Sequence, residues 1–334
     1  MVTKKGFEVQ FNWIFVLVAG AAILLFFASV IVKQKNVSET STKSTVLNSI
    51  ESIITGTSVS TNSINIIDIP NSDIDVSCGS VSIGGVSNQF QNLILFSPSL
   101  IKGGRLITQT LAFSTPYRST NFLYITSANL RYIMIGYTDL AREINKSLPL
   151  DLIKEFYPIS QQIKDSNNYK VKFVFFDNIN PNVLQTFQKM SDQDVTAIEV
   201  NGDSEKGTLN FYQKNGVSWA YVGNSGYIGK SSLIGAIYSD ALDSYNCNMA
   251  NAFSRLNLVT KIYLQRTQEL ISTGNSRKVS QCDDIYKNAL DKIKEISAAS
   301  SNFNSKNIGY LSDAANLLSS ENQNAIVYSC SLIY

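Results

Sequence analysis

Val171-Lys-Phe-Val-Phe-Phe176, the stretch from Asn182 to Met190, and Val195-Thr-Ala-Ile-Glu-Val200 decide the fold. The outer segments are β-branched and aromatic runs of strand length. The middle one has a helical pattern, with Pro181 near its start. Strand, helix, strand at this spacing argues for a partly parallel sheet with helices packed on it. Asp177 and Glu199 would close neighbouring strands, with Asp203 and Glu205 nearby. The carboxyl edge of such a sheet is where ligands usually sit, and clustered carboxylates suit Mg²⁺ or Ca²⁺. Asp177, Glu199 and Asp203 are therefore the metal candidates, against the plainer reading of acidic loop residues.

Upstream, Ile64 to Ile69 and Ile74 to Cys78 read as two short strands separated by Pro70. Asn92 to Phe96 reads as a buried strand, Gly103-Gly104 as a turn, and Arg105 to Phe113 as a long strand that ends at Pro116. Phe122 to Ile125 and Tyr132 to Ile135 are strands. Thr138 to Ile144 is a helix capped by Thr138, and Asp151 to Tyr157 reads as a second helical piece. Downstream, Thr208 to Gln213 and Val217 to Val222 form a hairpin about Asn215-Gly216. From Leu233 an apolar stripe at spacings of three and four runs to about residue 272, a single long helix broken at Gly274-Asn275. Two more helices follow, through Ile285 to Ile296 and Ile308 to Ile326, completing an antiparallel bundle.

Near the start, Trp13 to Val32 is an uncharged apolar run long enough to cross a ~30 Å hydrocarbon core as a helix. It exceeds a signal-peptide core, and no small-x-small cleavage site follows it. Lys4 and Lys5 are balanced by Lys33 and Lys35, so basic residues leave orientation undecided. The even cysteine count and the sequons Asn36-Val-Ser38 and Asn145-Lys-Ser147 favour a folded part outside the cytoplasm. Asn36 and Asn145 are then glycosylation candidates. Val46, Leu47, Ile50, Ile53 and Ile54 recur at helical spacing beyond the span, as a short amphipathic helix or a flexible linker.

The organisation expected is a cytoplasmic tail (1–10), a transmembrane helix (11–32), a polar linker or stalk helix (33–62), a mixed α/β sheet domain (63–230) and a helical bundle (231–334). The fold class is α+β or α/β. Antiparallel helices would bring Cys282 and Cys330 to the same end, leaving Cys78 to tie the strand region to Cys247. Buried free thiols are the alternative.

Composition removes whole classes of chemistry. The 334 residues contain no histidine, which excludes Ser-His-Asp and Cys-His catalysis and His-containing zinc sites. A net charge of +2 gives no electrostatic case for nucleic acid. Charged residues make up 16%, below the usual ~25%, so Ser, Asn, Thr and Gln must carry solubility.

Two motifs tempt. Gly223-Asn-Ser-Gly226-Tyr-Ile-Gly229-Lys230-Ser231 resembles the phosphate-binding loop of P-loop nucleotide hydrolases, with Gly226, Gly229, Lys230 and Ser231 as its cofactor-binding candidates. The spacing is one residue off, and only helices follow, so a turn opening the long helix is the stronger reading. Ser99-Leu-Ile-Lys102 fits S-x-x-K without its partner motifs. Tyr117, Arg118 and Arg131 would line a polar groove or an ordinary solvated loop.

Lys4-Lys5-Gly6-Phe7 resembles the cleavage site of archaeal type IV pilin precursors, although Glu8, Gln10 and Asn12 break the expected apolar run. Lys5 to Leu17 and Asn121 to Ile133 resemble uncharacterised membrane-anchored proteins of small-genome archaea. That resemblance implies a prokaryotic cell surface and no catalytic residues. The expectation is a single-pass extracytoplasmic binding or envelope-assembly module, non-enzymatic and without a cofactor. Its partners are the bilayer, through residues 13–32, and an envelope protein. The alternatives are a metal- or nucleotide-dependent enzyme and a pilin-like subunit.

Overall fold

The computed structural model describes residues 16–29, 33, 44–45, 47–48, 50–52, 55–56, 60–90, 93–158, 163–164, 168–277 and 280–334. Two six-stranded sheets organise the chain. The first contains β1 (Ile64–Ser77), β2 (Ser80–Ile83), β3 (Val86–Gln89), β4 (Leu95–Phe96), β5 (Leu100–Ser114) and β6 (Arg118–Ser127). Their order is β3-β2-β1-β5-β6-β4, antiparallel except for β4 beside β6. The second contains β7 (Leu130–Ile135), β8 (Ile153–Tyr157), β9 (Lys170–Phe175), β10 (Val195–Gly202), β11 (Lys206–Asn215) and β12 (Ser218–Ile228). Its order is β12-β11-β10-β9-β7-β8.

The second sheet meets the expectation of mixed pairing. Strands β8, β7, β9 and β10 run parallel, and β11 and β12 complete the sheet as antiparallel partners. The segment between β9 and β10 is a 3-10 turn, Pro181–Phe187, capped by Asn180 onto the Asn182 amide at 2.9 Å. Helix α2 (Asp139–Ser147) begins at Thr138, whose hydroxyl accepts the Ala141 amide at 3.0 Å. The β11–β12 turn places Gly216 and Val217 between the paired Asn215 and Ser218, with Gly216 at φ +61. The glycine thus takes the first central position of the tight hairpin.

Several expectations are corrected. Ile153 to Tyr157 is a strand, not a helix, because the open edge of β7 supplies a ladder that outweighs local preference. Pro70 does not divide two strands. It sits in an irregularity of β1, where residues 69–71 stand opposite Gly104 alone. Gly103 and Gly104 therefore lie inside β5, and a Cβ on Gly104 would come within 3.2 Å of the Ile69 carbonyl. Strands β2 and β3 form a further hairpin about Gly84-Gly85, both at positive φ.

The long apolar stripe is also two helices. Helix α3 (Gly229–Tyr238) ends before Ser239, and α4 (Leu242–Arg277) begins after a short break. Ser239 leaves the helix with extended backbone, its amide and its hydroxyl both closing on the Gly235 carbonyl at 3.0 and 2.8 Å. Every residue of α3 from Ser231 to Tyr238 is buried. A helix apolar on all sides belongs inside, and α3 lies between the sheets. It packs on Phe96, Tyr124 and Tyr132, whose rings make a cluster with Tyr238 and Tyr245.

Strand alternation distributes the rest of the core. Phe122 and Tyr124 face α3, while Leu123 and Ile125 face the opposite side of the first sheet. Leu47 and Ile50, from the helical residues between 44 and 56, are buried against that opposite side. In the second sheet, Tyr132 and Met134 join the α3 core, whereas Ile133, Phe173 and Phe175 pack on Leu184 and Phe187.

Helices α4, α5 (Ser280–Ala299) and α6 (Ile308–Val327) form the expected C-terminal helical region. Asn257 of α4 bonds the Ser297 carbonyl of α5 at 2.7 Å, fixing an antiparallel hairpin. Residues 16–29 are helical (α1), and Leu17, Leu24, Leu25 and Phe26 on it are exposed. No helix among the described residues is long and apolar enough to cross a membrane. Residues 13–15 and 30–32 of the expected span lie outside the described residues, as does Asn36.

Candidate functional site

The break between α3 and α4 opens a cleft of about 250 Å³ between the two sheets. Asp240 enters from the break, Asp243 from the first turn of α4, Ser99 from the β4–β5 connection, and Thr196 from the start of β10. Strands β11 and β12 contribute Phe211 and Val222 as an apolar wall.

Asp240 is the fixed centre. Its Oδ1 accepts the Ser99 amide at 2.9 Å, and its Oδ2 accepts the Ser99 hydroxyl at 2.8 Å. Lys170 makes an ion pair with the same Oδ2, and both side chains are buried. Burial alone would raise the Asp240 pKa. The Lys170 ammonium and the two Ser99 donors outweigh it and hold the carboxyl below its ordinary range.

Strand periodicity puts Lys172 on the same face as Lys170. Its Nζ donates to the Ser239 carbonyl at 2.7 Å and stands 5.4 Å from the Phe211 ring centroid. Burial pushes its pKa down to about 7, with Asp240 opposing and Lys170 reinforcing that shift. Thr196 pairs across the ladder with Lys172, and its hydroxyl is buried without a hydrogen-bond partner. Such orphans are rare in folded proteins and mark a place to look for a missing partner.

Asp177, Glu199 and Asp203 do not assemble. Asp177 follows β9 and lies against Gly136, where φ is +129 and a Cβ would stand 3.0 Å from the Asp177 carboxylate. Glu199 accepts hydrogen bonds from Asn210 at 2.8 Å and Tyr212 at 3.3 Å. Asp203 accepts the Lys206 and Glu205 amides at 3.0 and 2.8 Å, which hold its carboxyl below the ordinary range. Among the described residues no three acidic or cysteine side chains converge as a metal site. Strand ends that are neighbours in the sheet thus send their carboxylates to different local bonds.

The Gly223–Ser231 stretch is neither a phosphate loop nor the turn expected in its place: its first part is strand and Gly229 opens α3. Gly226 lies inside β12, paired with Thr208, so strand pairing claims the backbone needed for an amide nest. Gly229 donates its amide to the Glu205 carbonyl at 2.6 Å. Lys230 pairs with Glu143, and Ser231 is buried with its carbonyl accepting the Tyr124 hydroxyl at 2.7 Å.

Of the S-x-x-K pair, Ser99 reaches the cleft, whereas Lys102 turns to Asp73 at 4.0 Å. The proposed polar groove is dispersed. Tyr117 is buried against Thr260 at 2.5 Å, and Arg131 is buried in a two-pronged contact with Glu155 at 2.7 and 2.8 Å. Asn145 is half-buried on α2 rather than in a surface loop. Both cysteine pairings are present: Cys78 with Cys247 and Cys282 with Cys330.

Asp240, Lys170, Lys172 and Thr196 had no motif to announce them. The signal available was two lysines, two residues apart, in a run otherwise fit for a buried strand. No family model matches the chain, and neither a curated protein nor a solved structure matches it.

Proposed function

We propose that this chain is a single-pass membrane-anchored protein whose folded part lies outside the cytoplasm and works by binding, as an envelope receptor or assembly module. The observation that carries the reading is a contrast within one chain. The helix at residues 16–29 exposes Leu17, Leu24, Leu25 and Phe26, while the folded part is closed by two disulfides. Exposed apolar helix surface wants lipid, and disulfides persist in oxidising compartments. The uncharged apolar run of the sequence around it, Trp13 to Val32, has the length of a span. Binding rather than catalysis is favoured because Asp240, Ser99 and Lys170 are locked in mutual bonds that leave none poised for proton transfer. The Asp240 cleft is the ligand site in this reading.

The test is fractionation of cells producing the full chain. Retention in membranes through alkaline carbonate washing, with the folded part digested by protease added outside intact cells, is the expected result. Release by carbonate, or protection from external protease that ends on lysis, would overturn the anchor or the orientation respectively.

A further inference from the structure

We propose that the cleft at Asp240 holds a single ring of a neutral, hydroxyl-rich ligand, a saccharide unit; this rests on the reading of the protein as a binding module.

Charge narrows the ligand first. No lysine or arginine lines the cleft among the described residues, so an anion finds no counter-charge. The negative charge of Asp240 is already met by Lys170. Asp243 lies in the first turn of α4, where the positive end of the helix offsets a carboxylate. A cationic ligand therefore gains little from either acid.

Hydrogen-bonding chemistry narrows it further. Gln193 and Gln213 each bring a donor and an acceptor to the cleft, and Asp243 brings acceptors alone. Donors and acceptors side by side match hydroxyl groups, which play both roles. The apolar side chains of Phe211 and Val222 suit the C–H face of a sugar ring. At about 250 Å³ the cleft is smaller than the roughly 300–1,000 Å³ of sites for drug-sized ligands, which limits it to one ring.

The experiment is calorimetric titration of the full chain in detergent with glucose, galactose and N-acetylglucosamine, each to about 10 mM, enough to reveal a site of ~1 mM affinity. Putrescine and inorganic phosphate serve as cationic and anionic probes. Saturable binding of at least one sugar is expected, weakened about tenfold or more in Gln193→Ala and in Asp243→Ala. Both residues are exposed, so unchanged thermal unfolding of these variants shows that the fold survives. Binding of none of the sugars, binding unaffected by both substitutions, or preference for putrescine or phosphate overturns the proposal. An outward-facing chain that fails this titration loses the ligand class and keeps its location. A chain that binds sugar yet is shielded from external protease loses the location and keeps the ligand class.

Discussion

Asp240 receives both the amide and the hydroxyl of Ser99, at 2.9 and 2.8 Å, across 141 residues of chain. Lys170 closes the arrangement from β9, so one carboxylate joins the first sheet, the second sheet and the α3–α4 break. Removing it strands a buried ammonium. Asp240→Ala is expected to cost about 3–5 kcal/mol, because an uncompensated buried charge is the expensive outcome. Adding Lys170→Met to that variant should recover much of the loss. Chemical denaturation of the single and double variants checks this, and a single-variant loss below about 1 kcal/mol would count against the pair.

Lys172 gives stability a pH dependence. Its amine sits near 7 in the fold and near 10.4 in an unfolded chain. Between those values the unfolded chain binds more protons, so stability rises with pH across this window. Below about pH 7 both states are protonated, and the penalty of a buried ammonium is at its greatest. Lys172→Met should flatten the rise between about pH 7 and pH 10 and narrow its gap to the parent as pH increases. Burial pushes Tyr169 up to about 12, so its effect begins above pH 10 and in the opposite direction. Thermal unfolding followed from pH 7 to 10 reads the Lys172 contribution; parallel curves for the two proteins would refute it.

Gly235 marks how closely α3 meets the first sheet. A Cβ there would stand 2.9–3.0 Å from the Phe96 ring. Phe96 is fully buried and packs on Phe122, Tyr124 and Tyr245, so the ring cannot step aside. Gly235→Ala is expected to destabilise by about 1–3 kcal/mol despite alanine's better helix propensity. A neutral or stabilising result by calorimetry would mean that α3 packs more loosely than described.

The two disulfides should contribute unequally. Cys78 and Cys247 are 169 residues apart, and Cys282 and Cys330 are 48 apart. Loop-closure entropy then makes the first worth about 1 kcal/mol more than the second. Paired Cys→Ser variants, compared by denaturant midpoint and slope, give the difference; the opposite ranking would point to enthalpic terms.

Sequence pattern revealed the parts of this fold that depend on local periodicity. Val171 to Phe176 and Val195 to Val200 are parallel neighbours, Thr138 caps α2, and the hairpin turns at Gly216. It failed where pairing overrode local preference. Ile153 to Tyr157 became a strand because β7 offered an edge. Gly103-Gly104 stayed in β5 because the irregularity at Pro70 lies opposite it. The cleft was least legible of all. Its lining comes from positions as far apart as 99, 193, 213 and 240, each ordinary in its own neighbourhood. The break after α3, where Ser239 turns extended, sets Asp240 among them.

The bond between Cys78 and Cys247 closes most of both sheets into a covalent ring. Backbone cleavage at one point in that ring, for instance at the exposed Gly216 tip of the β11–β12 turn, opens the ring without separating the protein into pieces. The nicked chain keeps its mass on a non-reducing gel and divides only when a reductant is added. In an environment rich in proteases, a single cut would leave the folded part still joined to its N-terminal helix.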